Sequence, residues 1–216
     1  MNLKELNSEF SILFEDLASA GSKGLDSYER SICFTYAQDE IIKTLAKQGK
    51  LDDIQELVAF NENTVALQAV YKTAKKYARV PKTLLELDHF LSGADKDIPA
   101  VSVPQVVIDS MLSAAYKYPP VNLAYVVVGE DALIVFPPLY FVTRAFVTRY
   151  VKLPTPVILE TLTGADTIRD ETAATEPILK DGYQVELVNA AVQFAVKVYI
   201  GQQEKEAGND SSRNKQ

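Results

Sequence analysis

Residues 185–199 constrain this chain more than any other stretch. Val185, Val188, Val192, Ala195, Val196 and Tyr199 recur at three- and four-residue steps, and Leu187, Ala190, Ala191, Phe194 and Val198 cover most of the remaining surface. That spacing predicts a helix apolar nearly all round, which must be buried on most sides. Asp181 and Gln184 give it a start signal, and Gly201 a stop. It therefore needs partners, either an N-terminal helix pair and a sheet or a neighbouring subunit.

The N-terminal region supplies such helices. Leu3, Leu6, Phe10, Leu13, Phe14 and Leu17 form one apolar stripe, broken by Gly21 and Gly24. A second helix opens on Asp26 and Glu29, a capping box with Asp in place of Ser or Thr. Ile32, Cys33, Tyr36, Ala37, Ile41 and Leu45 are its expected buried face, and Gly49 its end. The two read as an antiparallel helical hairpin. Leu51 to Phe60 reads as a further short helix and Thr64 to Arg79 as a helix with strand character in part. Thr83 to Leu91, after Pro81, reads as one or two helical turns. Residues 1–97 are thus expected to be mainly helical.

The period then changes. Ser102, Pro104 and Gln105 announce a helix filled by Val106, Val107, Met111, Leu112 and Ala115, and Pro119 and Pro120 stop it. Val121 to Val128 and Ala132 to Phe136 read as strands of a hairpin closed by Gly129-Glu130-Asp131. A third strand-like run, Tyr140 to Leu153, follows Pro137 and Pro138. Residues 98–159 therefore predict a helix plus an antiparallel meander of three or four strands. Residues 160–180 are polar and irregular, an extended arm or a loop, and 201–216 a disordered tail. The fold class is α+β: the N-terminal helical hairpin and the C-terminal helix (181–200) packed together, with a small antiparallel sheet inserted between them.

Composition narrows the chemistry. The chain has 216 residues, a net charge of -7 and a single cysteine and histidine, Cys33 and His89. One cysteine excludes an internal disulfide and thiolate zinc sites, and one histidine excludes His-rich metal sites. An acidic surface repels nucleic acid and anionic lipid outside any local basic patch. No run of apolar residues is long enough for a membrane helix, and the start MNLKELNSEF lacks a secretory pattern, so assembly in a cytosol is expected. Gly21-Ser22-Lys23-Gly24 lacks phosphate-loop spacing, and Asp95 with Asp97 lacks calcium-loop spacing. No catalytic residue, cofactor or metal ligand is proposed: His89 reads as structural or exposed, and Cys33 as a buried small hydrophobe.

Two sets of residues read as partner surfaces. Lys72, Lys75, Lys76, Arg79 and Lys82 form a run without an acid. It reads as a solvated helix face, a contact for an acidic protein, or a phosphate contact on DNA, in that order of weight. Tyr140, Phe141, Tyr150, Pro154 and Pro156 sit at rigid proline turns by the ends of the sheet, as subunit contacts or as edge protection.

Three stretches together carry a family resemblance. They are Gly24-Leu25-Asp26-Ser27-Tyr28-Glu29 with Ala37-Gln38-Asp39-Glu40-Ile41, the strand end Arg149-Tyr150-Val151-Lys152-Leu153-Pro154-Thr155-Pro156, and Thr175-Glu176 with Leu179 ahead of Ala190-Ala191-Val192. Their order and spacing resemble virion structural proteins of crAss-like tailed bacteriophages that build the neck between portal and tail. The resemblance takes in roughly the first 48 residues and residues 98–200, and leaves 51–97 unmatched. It implies a non-enzymatic ring component of the head-to-tail connector, in a homo-oligomeric ring of twelve copies around the DNA channel. Its implied partners are the portal and neighbouring neck or tail proteins, with passive contact with packaged DNA and no membrane. Its implied location is the virion, assembled in the host cytoplasm. The alternative from another class is a cytosolic, non-enzymatic adaptor or regulatory module that binds another protein.

Overall fold

The computed structural model describes residues 1–17, 24–64, 83–113, 119–128, 133–138 and 140–200. The chain divides into two compact units, Met1–Gln55 with Pro154–Gln216, and Glu56–Leu153. The class is α+β, and the sheet-bearing unit is an insertion within the helical one.

In the helical unit, α1 (Leu3–Leu17) buries Leu6, Phe10 and Phe14, the centre of the expected stripe, while Leu3 and Leu13 are half-buried and Leu17, expected inside, is exposed at the helix end. The helix α2 (Ser27–Lys47) opens on the expected capping box. The Asp26 carboxylate accepts from the Glu29 amide at 2.8 Å, and the Glu29 carboxylate accepts from the Asp26 amide at 3.0 Å. Gly49 follows its end with φ +74°, a left-handed conformation that glycine adopts without strain. The C-terminal helix α4 (Gln184–Ala195) contacts both, preceded by a 3-10 turn at Asp181–Tyr183 and continued by a π-helical turn at Val196–Ile200. Leu187, Val188, Ala191, Val192 and Ala195 fill the space between them, while Val185 is 60% exposed. Phe10 stacks on Phe14 with ring centres 5.7 Å apart and meets Phe34 of α2 at 5.4 Å. Tyr36, expected inside, is 46% exposed and lies against Phe194 at 4.1 Å.

The inserted unit is a six-stranded sheet in the order β1-β6-β2-β3-β4-β5. Its strands are β1 (Val58–Thr64), β2 (Thr83–Gly93), β3 (Asp97–Ser102), β4 (Ala124–Val128), β5 (Leu133–Phe136) and β6 (Thr143–Lys152). All neighbours are antiparallel except β3 and β4. Parallel neighbours need a crossover, and α3 (Gln105–Ser113) lies within it. One face buries Leu91, Ile98, Ala100, Ala124, Val126, Val135 and Phe146. A second cluster joins Ile108 of α3 to Val127 and Phe136.

Four expectations are corrected here. Thr83 to Leu91 is strand, not helix. Its leucines satisfy helical spacing and alternation alike, and the long partner β6 decides, pairing with β2 from Thr83 to Gly93. The helix expected over 51–60 is a pair of 3-10 turns at Leu51–Leu57, kinked at Ile54, giving way to β1 at Val58. Residues 1–97 therefore hold two strands and the start of a third besides their helices. The sheet is mixed, not a meander: β4 and β5 do form the expected hairpin, but β6 pairs with β1 and β2. On α3, Val106 and Val107 are 69% and 39% exposed, and the helix packs through Ile108 instead. The turn at Gly21-Ser22-Lys23, the loop at Gly129-Glu130-Asp131, the reading of 65–79 and the tail 201–216 lie outside the described residues.

Candidate contact surfaces and the clasp that supports them

One side of α2 is polar yet buried. Ser31, Thr35, Gln38 and Asp39 are each at most 8% exposed. They hold the chain returning at residues 154–159 as though α2 were a neighbouring strand. Ser31 Oγ accepts from the Leu159 amide at 3.0 Å, and Thr35 Oγ1 accepts from the Val157 amide at 3.0 Å. Gln38 donates through Nε2 to the Thr155 carbonyl and accepts at Oε1 from the Ile178 amide, both at 2.9 Å. The periods nearly match. Four helical residues rise about 6.0 Å, and two extended residues about 6.6 Å. The opposite edge of this segment pairs with Thr175 through reciprocal bonds to Ile158. Pro154 and Pro156 carry no amide hydrogen, so neither adds a buried donor in need of a partner.

The stretch read as an arm or a loop is a loop doubled back on itself. Leu162 donates to Thr172, and Ile168 and Glu171 exchange both backbone bonds around Arg169 and Asp170. Those two residues have φ +56° and +69°, the geometry of a two-residue hairpin turn that usually selects Asn-Gly. Arg169 is held there by its side chain, which pairs with Asp39 and donates to the Pro154 carbonyl at 2.9 Å. Burial pushes the Asp39 carboxyl above its ordinary value, and the Arg169 guanidinium opposes the shift without cancelling it. Nearer α4, Asp53 is held below the usual carboxylate range by the Tyr183 hydroxyl, at 2.6 Å, and by Lys180. Burial pushes the Cys33 thiol up to about 12, as expected of a buried small hydrophobe.

These contacts join the three stretches that carry the family resemblance. Asp26 and Glu29 cap α2, Gln38 and Asp39 grip Thr155 and Arg169, and Thr175 pairs with Ile158. The motif residues build a scaffold.

The surface feature lies in the inserted unit, where the β2–β3 turn meets the approach to β6. Gly93 donates to Lys96 at 3.1 Å, Ala94 to Val142 at 3.3 Å, and Phe141 to Pro138 at 3.1 Å. They frame an apolar groove of about 490 Å³ between Ala94–Lys96, Pro119, Val121, Pro138 and Tyr140–Val142. Phe141 packs into the sheet core beneath it. Tyr140 stands 91% exposed, with Val121 at 76% and Val142 at 63%. Of the residues expected at subunit contacts, Tyr140 and Phe141 are placed here. Tyr150, at 4% exposed, lies inside, and Pro154 and Pro156 are buried in the clasp. Lys72, Lys75, Lys76, Arg79 and Lys82 lie outside the described residues. His89 is half-buried in β2, 3.2 Å from Thr148 Oγ1 and stacked on Phe146. Among the described residues no group of three His, Cys, Asp or Glu side chains converges as a metal site would require, and no helix is long and apolar enough to cross a membrane.

Gly93 lies tightly against two residues of the groove's wall. A Cβ there would meet the Phe141 ring at 2.5 Å and the Lys96 carbonyl at 2.6 Å. The ring can turn but the backbone oxygen cannot move cheaply. Gly93→Ala is therefore expected to destabilise the protein by about 1–3 kcal/mol, read as a lower urea midpoint with an unchanged slope.

Comparison with known proteins places these features in context. A family model described as phage tail ring protein 3/4 matches residues 1–84. That match takes in α1, α2 and β1 and extends the similarity into the region after residue 50 that the motifs leave unmatched. Ring protein 4/5 of Bacteroides phage crAss001 is 28% identical over an alignment covering 93% of this chain and 94% of that protein. The resemblance to ring proteins of crAss-like phages is thereby borne out.

Proposed function

We propose that this chain is a virion structural protein, a ring-forming subunit of the head-to-tail connector of a crAss-like phage. In this reading twelve copies surround the DNA channel and contact the portal and neighbouring neck or tail proteins. The observation that carries it is the end-to-end character of the similarity to Ring protein 4/5, which leaves neither protein with a large unshared segment. The site chemistry supports it. The described surface offers an exposed apolar groove with a single carboxylate, Asp95, in its wall, whereas glycoside hydrolysis uses two facing carboxyl groups. A ring subunit acts by presenting two different faces that close into a cycle, without bond-making chemistry. The basic run Lys72 to Lys82 is then a contact for an acidic neighbouring ring or for DNA passing through the channel. The clasp contributes stiffness, since it anchors the long return segment to α2 through buried hydrogen bonds.

Quantitative mass spectrometry of purified virions tests the reading. The expected result is a fixed ratio close to one copy per portal chain. Absence from particles, with abundance in infected cells, would overturn it.

A further inference from the structure

We propose that the groove beside Tyr140 receives the outer face of α1 from a second copy of this chain, with Ile12 of one subunit seated against Val121, Tyr140 and Val142 of the next. This rests on the ring reading above and supplies the two different surfaces that a head-to-tail contact needs.

The groove is built for a protein surface more than for a small ligand. A small-molecule site encloses its ligand and converges several polar groups on it. Here three wall residues are 63–91% exposed, and the Lys96 ammonium is engaged by Asn122. A tyrosine beside prolines offers a rigid apolar anchor at low entropic cost, as interface centres do.

Complementarity selects α1. Its inner face, with Leu6, Phe10 and Phe14, is buried, Phe10 meeting Phe34 of α2, and α1 packs on α4. On its outer face Ile12 is 59% exposed, and Glu5, Glu9, Glu15 and Asp16 surround it at helical spacing, with no base from Glu5 to Leu17; Leu17, equally exposed, lies at the helix end on the side of the buried stripe. Beside the groove stand cations: Lys96 in its wall, and Arg144, exposed and two residues beyond Val142 along the same strand face. The wider charge distribution agrees. The helical unit carries 12 basic and 20 acidic residues, net -8; the inserted unit carries 10 and 9, net +1. An acidic, apolar-tipped helix therefore fits an apolar groove with a cationic rim. Val106 and Val107 of α3, the competing exposed apolar pair, have one acid on their helix, Asp109, and lie in the same near-neutral unit as the groove.

Engineered cysteines test this in assembled particles, because the native Cys33 is buried and its thiol does not compete. Particles made with Ile12→Cys and Tyr140→Cys together, mildly oxidised, are expected to give a reducible ladder of covalent multimers, and neither single variant should. Incorporation of the chain without a ladder overturns the contact and leaves the ring reading intact. So does linkage by Tyr140→Cys alone, which marks a two-fold contact, or a ladder that appears only when Val106→Cys or Val185→Cys replaces Ile12→Cys. Absence of the wild-type chain from particles overturns both readings. A second series needs no cross-link. Arg144→Glu is expected to lower copies per particle about tenfold, and adding Glu15→Lys with Asp16→Lys to the same chain to restore them. Wild-type incorporation of Arg144→Glu alone, or no rescue by the added lysines, overturns the proposal.

Discussion

Arg169→Met is expected to lower the unfolding free energy by about 3–5 kcal/mol at neutral pH. Urea unfolding of the full chain measures the loss. The guanidinium pairs with Asp39 and caps the Pro154 carbonyl. Asp39 sits on the buried side of α2, and its Oδ1 has no hydrogen-bond partner. Removing the arginine leaves a largely desolvated carboxylate with no counter-charge, far costlier than losing an exposed pair. Removing both charges, as Arg169→Met with Asp39→Asn, should recover part of the loss, because no buried charge is then uncompensated. If the double variant is as unstable as the single one, Arg169 acts through its turn conformation and its bond to Pro154 instead.

The same pair predicts a pH dependence of definite sign. Burial raises the folded-state pKa of Asp39 above its unfolded value. The folded state therefore holds this proton more tightly, and the associated stabilisation is present at acid pH and lost as pH rises through the folded pKa. In Arg169→Met the guanidinium no longer opposes the shift, so the pKa climbs further. The variant's deficit relative to wild type should shrink as pH falls from neutral into the carboxylate range. Asp53 works in the opposite direction. Its pKa is lowered, so its contribution is present above the unfolded value and lost as pH falls through the folded one. Its solvent exposure keeps that contribution small.

Local signals in the sequence were readable where one element decides its own structure. The centre of the α1 stripe, the capping box of α2 and the β4–β5 pairing all follow from spacing within a dozen residues; Ser102, expected to cap α3, instead ends β3 in register with Val126. The clasp does not follow from local spacing. Ser31, Thr35, Gln38 and Asp39 look like a solvated helix face, since polar residues on a helix normally are one. They are buried because residues 154–159 return to cover them, a pairing across more than a hundred positions that no local period encodes. The sheet order is hidden for the same reason: β6 finds β1 and β2, far upstream, ahead of its neighbours in sequence. Tyr150 shows the limit within a single strand. Alternation puts it on one face with Phe146 and Thr148, but only the neighbouring strands reveal that this face is covered. Tyr140 was legible as a surface aromatic from the prolines beside it, although it lies ahead of β6 and not inside it as the strand-like run suggested.

That contrast between Tyr140 and the aromatic core gives the second large expectation. Phe34→Ala is expected to cost about 3–5 kcal/mol. Its ring is fully buried between α1 and α2, 5.4 Å from Phe10, which in turn stacks on Phe14. Truncation loses both the transfer free energy and the edge contacts of an aromatic trio, and the two helices cannot close the void while α4 holds them apart. Protection of α1 and α2 amides against hydrogen exchange should fall by the same free energy, which would separate a core effect from local fraying. Tyr140→Ala is the matched control. At 91% exposure its removal should leave stability within about 0.5 kcal/mol, yet reduce incorporation into particles if the groove is an interface. A chain that loses stability with Phe34→Ala and assembly with Tyr140→Ala would divide its aromatics between holding one subunit together and joining it to the next.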